Sequence, residues 1–293
     1  MLIDVAENSF FYRLVRRHER RIRGSPHLCS GAHVSDSLRY DRQLVLLGPK
    51  RNSVLELWEI HRYGIDSYGD PDYVSIYGLR PDDWYAKGIR ILGRTAVECT
   101  RDDLAHEIGE DIANIARKVS GPEPLVIDLF AGSGNTLYWI LHKLPGARGL
   151  GFELDAAVFD LTSRNLASLQ LSVNVLNTDY RNGLGDVVAA PAHPVITFIA
   201  PPWGDALSRT SGLDLRRTTP PITDIVDMLI RKFSENPLLC AIQVYEAVDP
   251  ASLVELTARF DWSAMRIYHL NEPGQNHGIL LGTKGWMTGQ GHR

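Results

Sequence analysis

The stretch "VIDLFAGSGNTLYWILHKL" constrains this chain more than any other. A short β-rich run closes on an acid, turns through glycines, and opens a helix-patterned segment. That is the grammar of a parallel strand feeding a helix, and it repeats downstream. "GLGFEL" (149–154) reads as a strand and "DAAVFDLTSRNLASL" as its amphipathic helix. "SVNVLN" (172–177), "PVITFIA" (194–200) and "LLCAIQVY" (238–245) supply three further strands. "PITDIVDMLIRKF" and "PASLVELTARF" supply helices, and "SAMRIYHL" and "HGILLGTK" close the chain as two strands with no helix between them. Strands alternating with helices predict an α/β fold, a mostly parallel Rossmann-like sheet with helices on both faces. The final pair predicts an antiparallel hairpin at one edge.

Residues 1–95 lack this rhythm and read as a mainly helical N-terminal extension that covers the substrate. Residues 96–288 form the α/β domain and 289–293 a flexible tail. The aromatic run within the extension (Trp58, Tyr63, Tyr68, Tyr73, Tyr77, Trp84, Tyr85) is expected to be its own core, with a substrate lid as the alternative.

At 293 residues with 44% hydrophobic content and a formal net charge of −4, the chain has ordinary globular composition. An acidic balance gives no global attraction to nucleic acid or anionic membrane. Three scattered cysteines without a Cys-x-x-Cys pair are expected to be reduced thiols in the cytoplasm. The first residues place charge after a short apolar stretch, the reverse of a secretory signal, and no apolar run nears membrane-spanning length. Metal chemistry is not expected, because "HEIGE" (106–110) lacks the second histidine of a His-Glu-x-x-His helix.

The chemistry gathers at strand ends. Asp128 closes the first strand, and Gly132 and Gly134 follow where backbone can approach a ligand at a helix mouth. Glu153 closes the second strand, where a carboxylate accepts hydrogen bonds from ribose hydroxyls, and Asp179 follows the third. Together they predict a nucleotide-type cofactor site. A dinucleotide fingerprint would want a small residue at Leu137, and no Gly-Lys-Ser/Thr of a P-loop is present. An acid ahead of the glycines suits a cationic ligand.

"VIDLFAGSGN", "GFELD", "NTDY" and "IAPPWGD" resemble the cofactor and catalytic motifs of the class I S-adenosylmethionine-dependent methyltransferases. With "TRDDLAHEIGEDIANIA" ahead of them, they most resemble the trimethylguanosine synthase branch (RNA cap guanine methyltransferases) and its bacterial small-molecule carbon-methylating relatives. The resemblance covers about residues 95–284. It implies a seven-stranded sheet and S-adenosyl-L-methionine as cofactor. Asp128, Gly132, Gly134 and Asn135 would line its methionine end, Glu153 its ribose and Asp179 its adenine. Thr100 would cap the site, and Pro201, Pro202 and Trp203 would form the catalytic turn.

One departure decides the expected substrate. The family's turn usually begins with Asp, Asn or Ser, and here that position is Ala200. Alanine accepts no hydrogen bond, so one clamp on an amine acceptor is lost, and an apolar wall suits a carbon nucleophile. Carbon methylation needs a base, for which Glu246 and His277 are candidates, with the rings of Tyr12 and Tyr245 shielding positive charge. Arg13, Arg16, Arg17 and Arg20 share one helical face and would hold phosphate, helped by Arg216. The expected acceptor is a small anionic isoprenoid such as isopentenyl diphosphate. Its rivals are a tryptophan-derived indole and the guanine amine of capped RNA. A homodimer is the one protein partner envisaged, no membrane is expected, and a small anionic molecule ranks ahead of nucleic acid.

Overall fold

The computed structural model describes residues 39–119, 121–171, 173–208, 210–271 and 275–286. Tyr12, Arg13, Arg16, Arg17, Arg20 and the tail 289–293 lie outside the described residues.

Seven strands make one sheet: β1 Leu125–Asp128, β2 Arg148–Glu153, β3 Val173–Asn177, β4 Val195–Ile199, β7 Leu238–Tyr245, β8 Trp262–Tyr268 and β9 His277–Lys284. Their order is β3-β2-β1-β4-β7-β9-β8. A two-stranded ribbon, β5 Leu207–Ser208 with β6 Gly212–Leu213, stands apart. The first five strands of the sheet run parallel, and β9 is antiparallel to both β7 and β8. The closing strands are thus the antiparallel pair expected, but the last of them is inserted between β7 and the edge strand β8.

Helices cover both faces. On one, Ile222, Ile225, Val226 and Leu229 form a stripe at helical spacing on α8 (Ile222–Lys232), packed with Ile127, Ile199, Cys240 and Ile242. On the other, α4 (Asp102–Ala116) and α5 (Asn135–Lys143) bring Ile108, Ile112, Leu137 and Ile140 onto Val126, Phe198, Leu239 and Ile279. The two helices cross closely at Gly109, where a Cβ would sit 3.0 Å from the Trp139 carbonyl. Burial on both faces explains why β1, β4 and β7 read as nearly continuous apolar runs.

The region ahead of α4 carries α1 Leu57–Tyr68, α2 Pro81–Ala86 and α3 Gly93–Glu98. It packs in one cluster with Ala131, Leu166 and Val175, the last two from α6 (Ala156–Ser168) and β3. Tyr63, Tyr77 and Trp84 are fully buried here, and Trp84 Nε1 donates to the Val74 carbonyl at 3.0 Å. Tyr68 and Tyr73 stack at 3.4 Å, whereas Trp58 is 60% exposed. Of the aromatic run, Tyr63, Tyr77 and Trp84 are core, Tyr73 and Tyr85 pack against them, and Tyr68, like Trp58, is exposed.

Replacing a buried tryptophan by alanine costs about 3–5 kcal/mol. Trp84→Ala should lower the urea midpoint of a single unfolding transition. A separate early transition confined to the helical region would contradict its packing with the sheet.

Candidate active site

In an open α/β sheet, ligands gather where the strand order reverses. Here that point is β1, with β2 on one side and β4 on the other. Asp128 ends β1 and is 1% exposed. Its Oδ1 accepts from the Phe130 N–H at 3.0 Å, and its Oδ2 accepts nothing from the described residues. Burial, reinforced by the nearby Glu153 carboxylate, pushes its pKa up to about 7.

The glycine turn is braced from three sides. Gly132 donates its N–H to Glu153 Oε2 at 2.9 Å, and its carbonyl accepts from Thr162 Oγ1 at 2.6 Å. Tyr77 Oη donates to the Ser133 carbonyl. Gly132 and Gly134 both have positive φ, 51° and 73°. A Cβ at Gly134 would crowd Leu166 at 3.0 Å, so this glycine serves the turn and α6, while a Cβ at Gly132 would meet only the Phe130 carbonyl, at 3.8 Å. Glu153, raised by burial, also accepts from the Asp155 N–H at 2.7 Å. A carboxylate has about four lone-pair sites, so two remain for further donors.

The remaining predicted cofactor residues are placed differently. Both Asn135 amide hydrogens are used within the protein, on the Thr100 carbonyl at 2.8 Å and Asp102 Oδ1 at 3.1 Å, and its Oδ1 accepts from the Tyr77 N–H at 2.7 Å. Asn135 is a brace. Asp179 caps the short helix α7 (Tyr180–Gly183) and is gripped by the Arg181 fork at 2.9 and 2.6 Å, which holds its pKa down.

At the tip of β4, Ala200 packs against the α4–α5 cluster, Pro201 is buried and Pro202 exposed. The Trp203 ring lies 5.0 Å from the His277 ring and 6.2 Å from Tyr245, centroid to centroid. Tyr245 and His277 are cross-strand partners at the adjoining ends of β7 and β9. Glu246 follows and accepts from the Asn276 side chain at 2.7 Å, and its charge is felt at His277. Trp203, Tyr245, Glu246 and His277 thus lie together at the ends of β4, β7 and β9. Arg216 does not join them: its guanidinium is committed to Asp214 at 2.8 Å and Asp249 at 3.1 Å.

Three contributors escaped the sequence reading. Gln243 bonds both Thr100 Oγ1 at 3.2 Å and His277 Nδ1 at 3.1 Å. Asp102 accepts from Trp139 Nε1 at 2.7 Å and the Gly78 N–H at 2.9 Å. Arg101 lies over the Tyr73 ring at 4.0 Å and depresses the pKa of His277, second to burial, to about 4. Gln243 had a signal, being the one amide in an otherwise apolar eight-residue strand. Asp102 had none, since it reads as an ordinary first-turn acid.

No protein-family model matches this chain, and no curated protein matches it. Solved structures resemble it at low identity. The human methyltransferase 10 domain containing protein is 12% identical over 61% of this chain and 80% of its own, with a TM-score of 0.42. The N-terminal domain of human METTL16 in complex with SAH is 14% identical over 60% of this chain and 67% of its own, TM-score 0.42. A methyltransferase from Pyrococcus furiosus is 12% identical over 60% and 83%, TM-score 0.40. At TM-scores below 0.5 these likenesses decide nothing about the site, whose chemistry rests on this chain's own residues.

Asp128 makes a testable demand. An acid with a raised folded-state pKa binds more protons folded than unfolded between about pH 4 and pH 7, so its contribution to stability falls as pH rises through that window. Above it the buried charge costs on the order of 4 kcal/mol. Asp128→Asn keeps an acceptor for the Phe130 N–H. It should therefore raise the melting temperature at pH 8 by several degrees and change it little at pH 4.5, by calorimetry. An equal shift at both pH values would contradict the buried charge.

Proposed function

We propose that this chain is an S-adenosylmethionine-dependent methyltransferase whose acceptor atom is a carbon. One observation carries the reading. The same sheet edge holds a buried Asp128, its pKa raised by burial, beside a braced glycine turn and, across β4, a Pro-Pro-Trp turn facing Tyr245 and His277.

The residues fit that cofactor. Asp128 has an oxygen to spare for a cationic amino group, which would draw it fully into the carboxylate form. Glu153 keeps lone pairs for ribose hydroxyls, and Gly132, with no Cβ and only the Phe130 carbonyl near that position, lets a ligand approach the backbone. When bound, S-adenosylmethionine supplies an electrophilic methyl group.

The protein's part is positioning and charge. Pro201 and Pro202 fix the backbone after β4, and Trp203 and Tyr245 present ring faces to the positive charge that grows on the acceptor. Each such contact is worth about 0.5–2 kcal/mol. Ala200 offers no side-chain acceptor for an amine, which supports a carbon nucleophile. The carboxylate of Glu246 takes the proton that leaves the acceptor and restores its double bond. His277 suits that task poorly, because an imidazole pushed down to about 4 holds a proton weakly.

An isoprenoid diphosphate is the acceptor we favour, on the sequence pattern of the arginine face at 13–23. The 293-residue chain with radiolabelled S-adenosylmethionine should label isopentenyl diphosphate in preference to a tryptophan-derived cyclic dipeptide or capped RNA. Ala200→Asn should cut that labelling at least tenfold. Label entering the guanine amine of capped RNA, increased by Ala200→Asn, would overturn the carbon reading.

A further inference from the structure

His277 is weak as a base, yet it is held with more care than a packing residue needs. It opens β9, directly opposite Tyr245 of β7 and Tyr268 of β8, with its ring against Trp203. Its Nδ1 faces the side-chain nitrogen of Gln243 at 3.1 Å. Gln243 is 8% exposed, and its oxygen accepts from the Thr100 hydroxyl at 3.2 Å. An amide nitrogen has only protons to give, so Nδ1 must offer its lone pair. A neutral imidazole then carries its one proton on Nε2. An imidazolium would set Nδ1–H against the amide N–H. Burial and the Arg101 guanidinium oppose that form too, outweighing the Glu246 charge that favours it. Among the described residues Nε2 has no hydrogen-bond partner.

We propose that Thr100 and Gln243 hold His277 as a neutral Nε2–H donor, and that this donor recognises a carbonyl or phosphoryl oxygen of the substrate. The proposal rests on the methyltransferase reading of the site. His277 is then the residue that touches substrate, and Gln243 and Thr100 are positioning residues acting through it. Recognition beside Trp203 has a definite polarity. Ala200 supplies no acceptor at the β4 turn, while His277 supplies a donor at the neighbouring β9 end. A substrate without an oxygen there would forgo that hydrogen bond and bind less well.

Long-range proton–nitrogen spectra of the nitrogen-15-labelled full chain test this directly, with S-adenosylhomocysteine added. The resonance lost in His277→Asn and moved in Gln243→Glu identifies the ring. Between pH 6 and pH 8 it should show the Nε2–H tautomer. Gln243→Glu, which replaces the amide donor by a carboxylate, should reverse it to Nδ1–H. A wild-type ring in the Nδ1–H form, or charged at pH 7, overturns the proposal.

Two probes then separate the oxygen sources. A shift of Nε2 with sodium pyrophosphate assigns a phosphoryl oxygen, and a shift with a tryptophan-derived cyclic dipeptide assigns a carbonyl. The probe that responds should bind at least tenfold more weakly to Gln243→Glu. Response to neither overturns the recognition role. Failure of S-adenosylhomocysteine to bind would sink the methyltransferase reading instead, and the tautomer would still be read in its absence.

Discussion

A parallel sheet covered on both faces has few places for polar side chains except its strand ends. That constraint organises the molecule. β1 and β4 are buried along their whole length, and chemistry appears only where they stop, at Asp128 and after Ile199. β1 sits at the reversal of strand order, the place where open α/β sheets take ligands, and the Asp128 carboxyl group there is buried. A dry acid binds protons at neutral pH unless a cation meets it. The fold thus stores an electrostatic demand that a cationic ligand relieves.

The loop ahead of α4 ties the two halves of this edge together. The Thr100 carbonyl accepts from Asn135, beside the glycine turn, and its hydroxyl reaches Gln243 on β7. Gln243 in turn orients His277 on β9. A single residue outside the sheet therefore couples the glycine turn to the aromatic edge through four side chains. Tyr77 and Asp102 extend the brace into the helical region, bonding the Ser133 carbonyl and the Asn135 amide. In the methyl transfer we propose, pre-set polar groups of this kind matter because the protein has little to do except position and stabilise charge.

Much of the architecture was legible because strand and helix periods differ. "HGILLGTK" reads as a strand and is β9 from end to end, and "PVITFIA" stops where its prolines cannot join a ladder. The place of β9 between β7 and β8 was not legible, since lateral order is decided by packing across distant segments. The same limit hid Asp102, which looks like any first-turn acid until the fold brings Trp139 and Asn135 to it. Arg216 misled for the opposite reason. An arginine looks available in sequence, but Asp249 lies 33 positions away and reaches it only in the fold. Asp128 and Glu153 could be found because each is the last residue of its strand, and Trp203 because it closes the proline turn just beyond β4, where local pattern and position in the sheet coincide.

The central claim is that Asp128 awaits a cation. Titration calorimetry of S-adenosylmethionine into the full chain at pH 7, in buffers of different ionisation heat, counts the protons exchanged on binding. With a free-protein pKa of about 7, binding should release about half a proton as Asp128 becomes fully ionised. Binding with no net release, or no binding at all, would contradict the account.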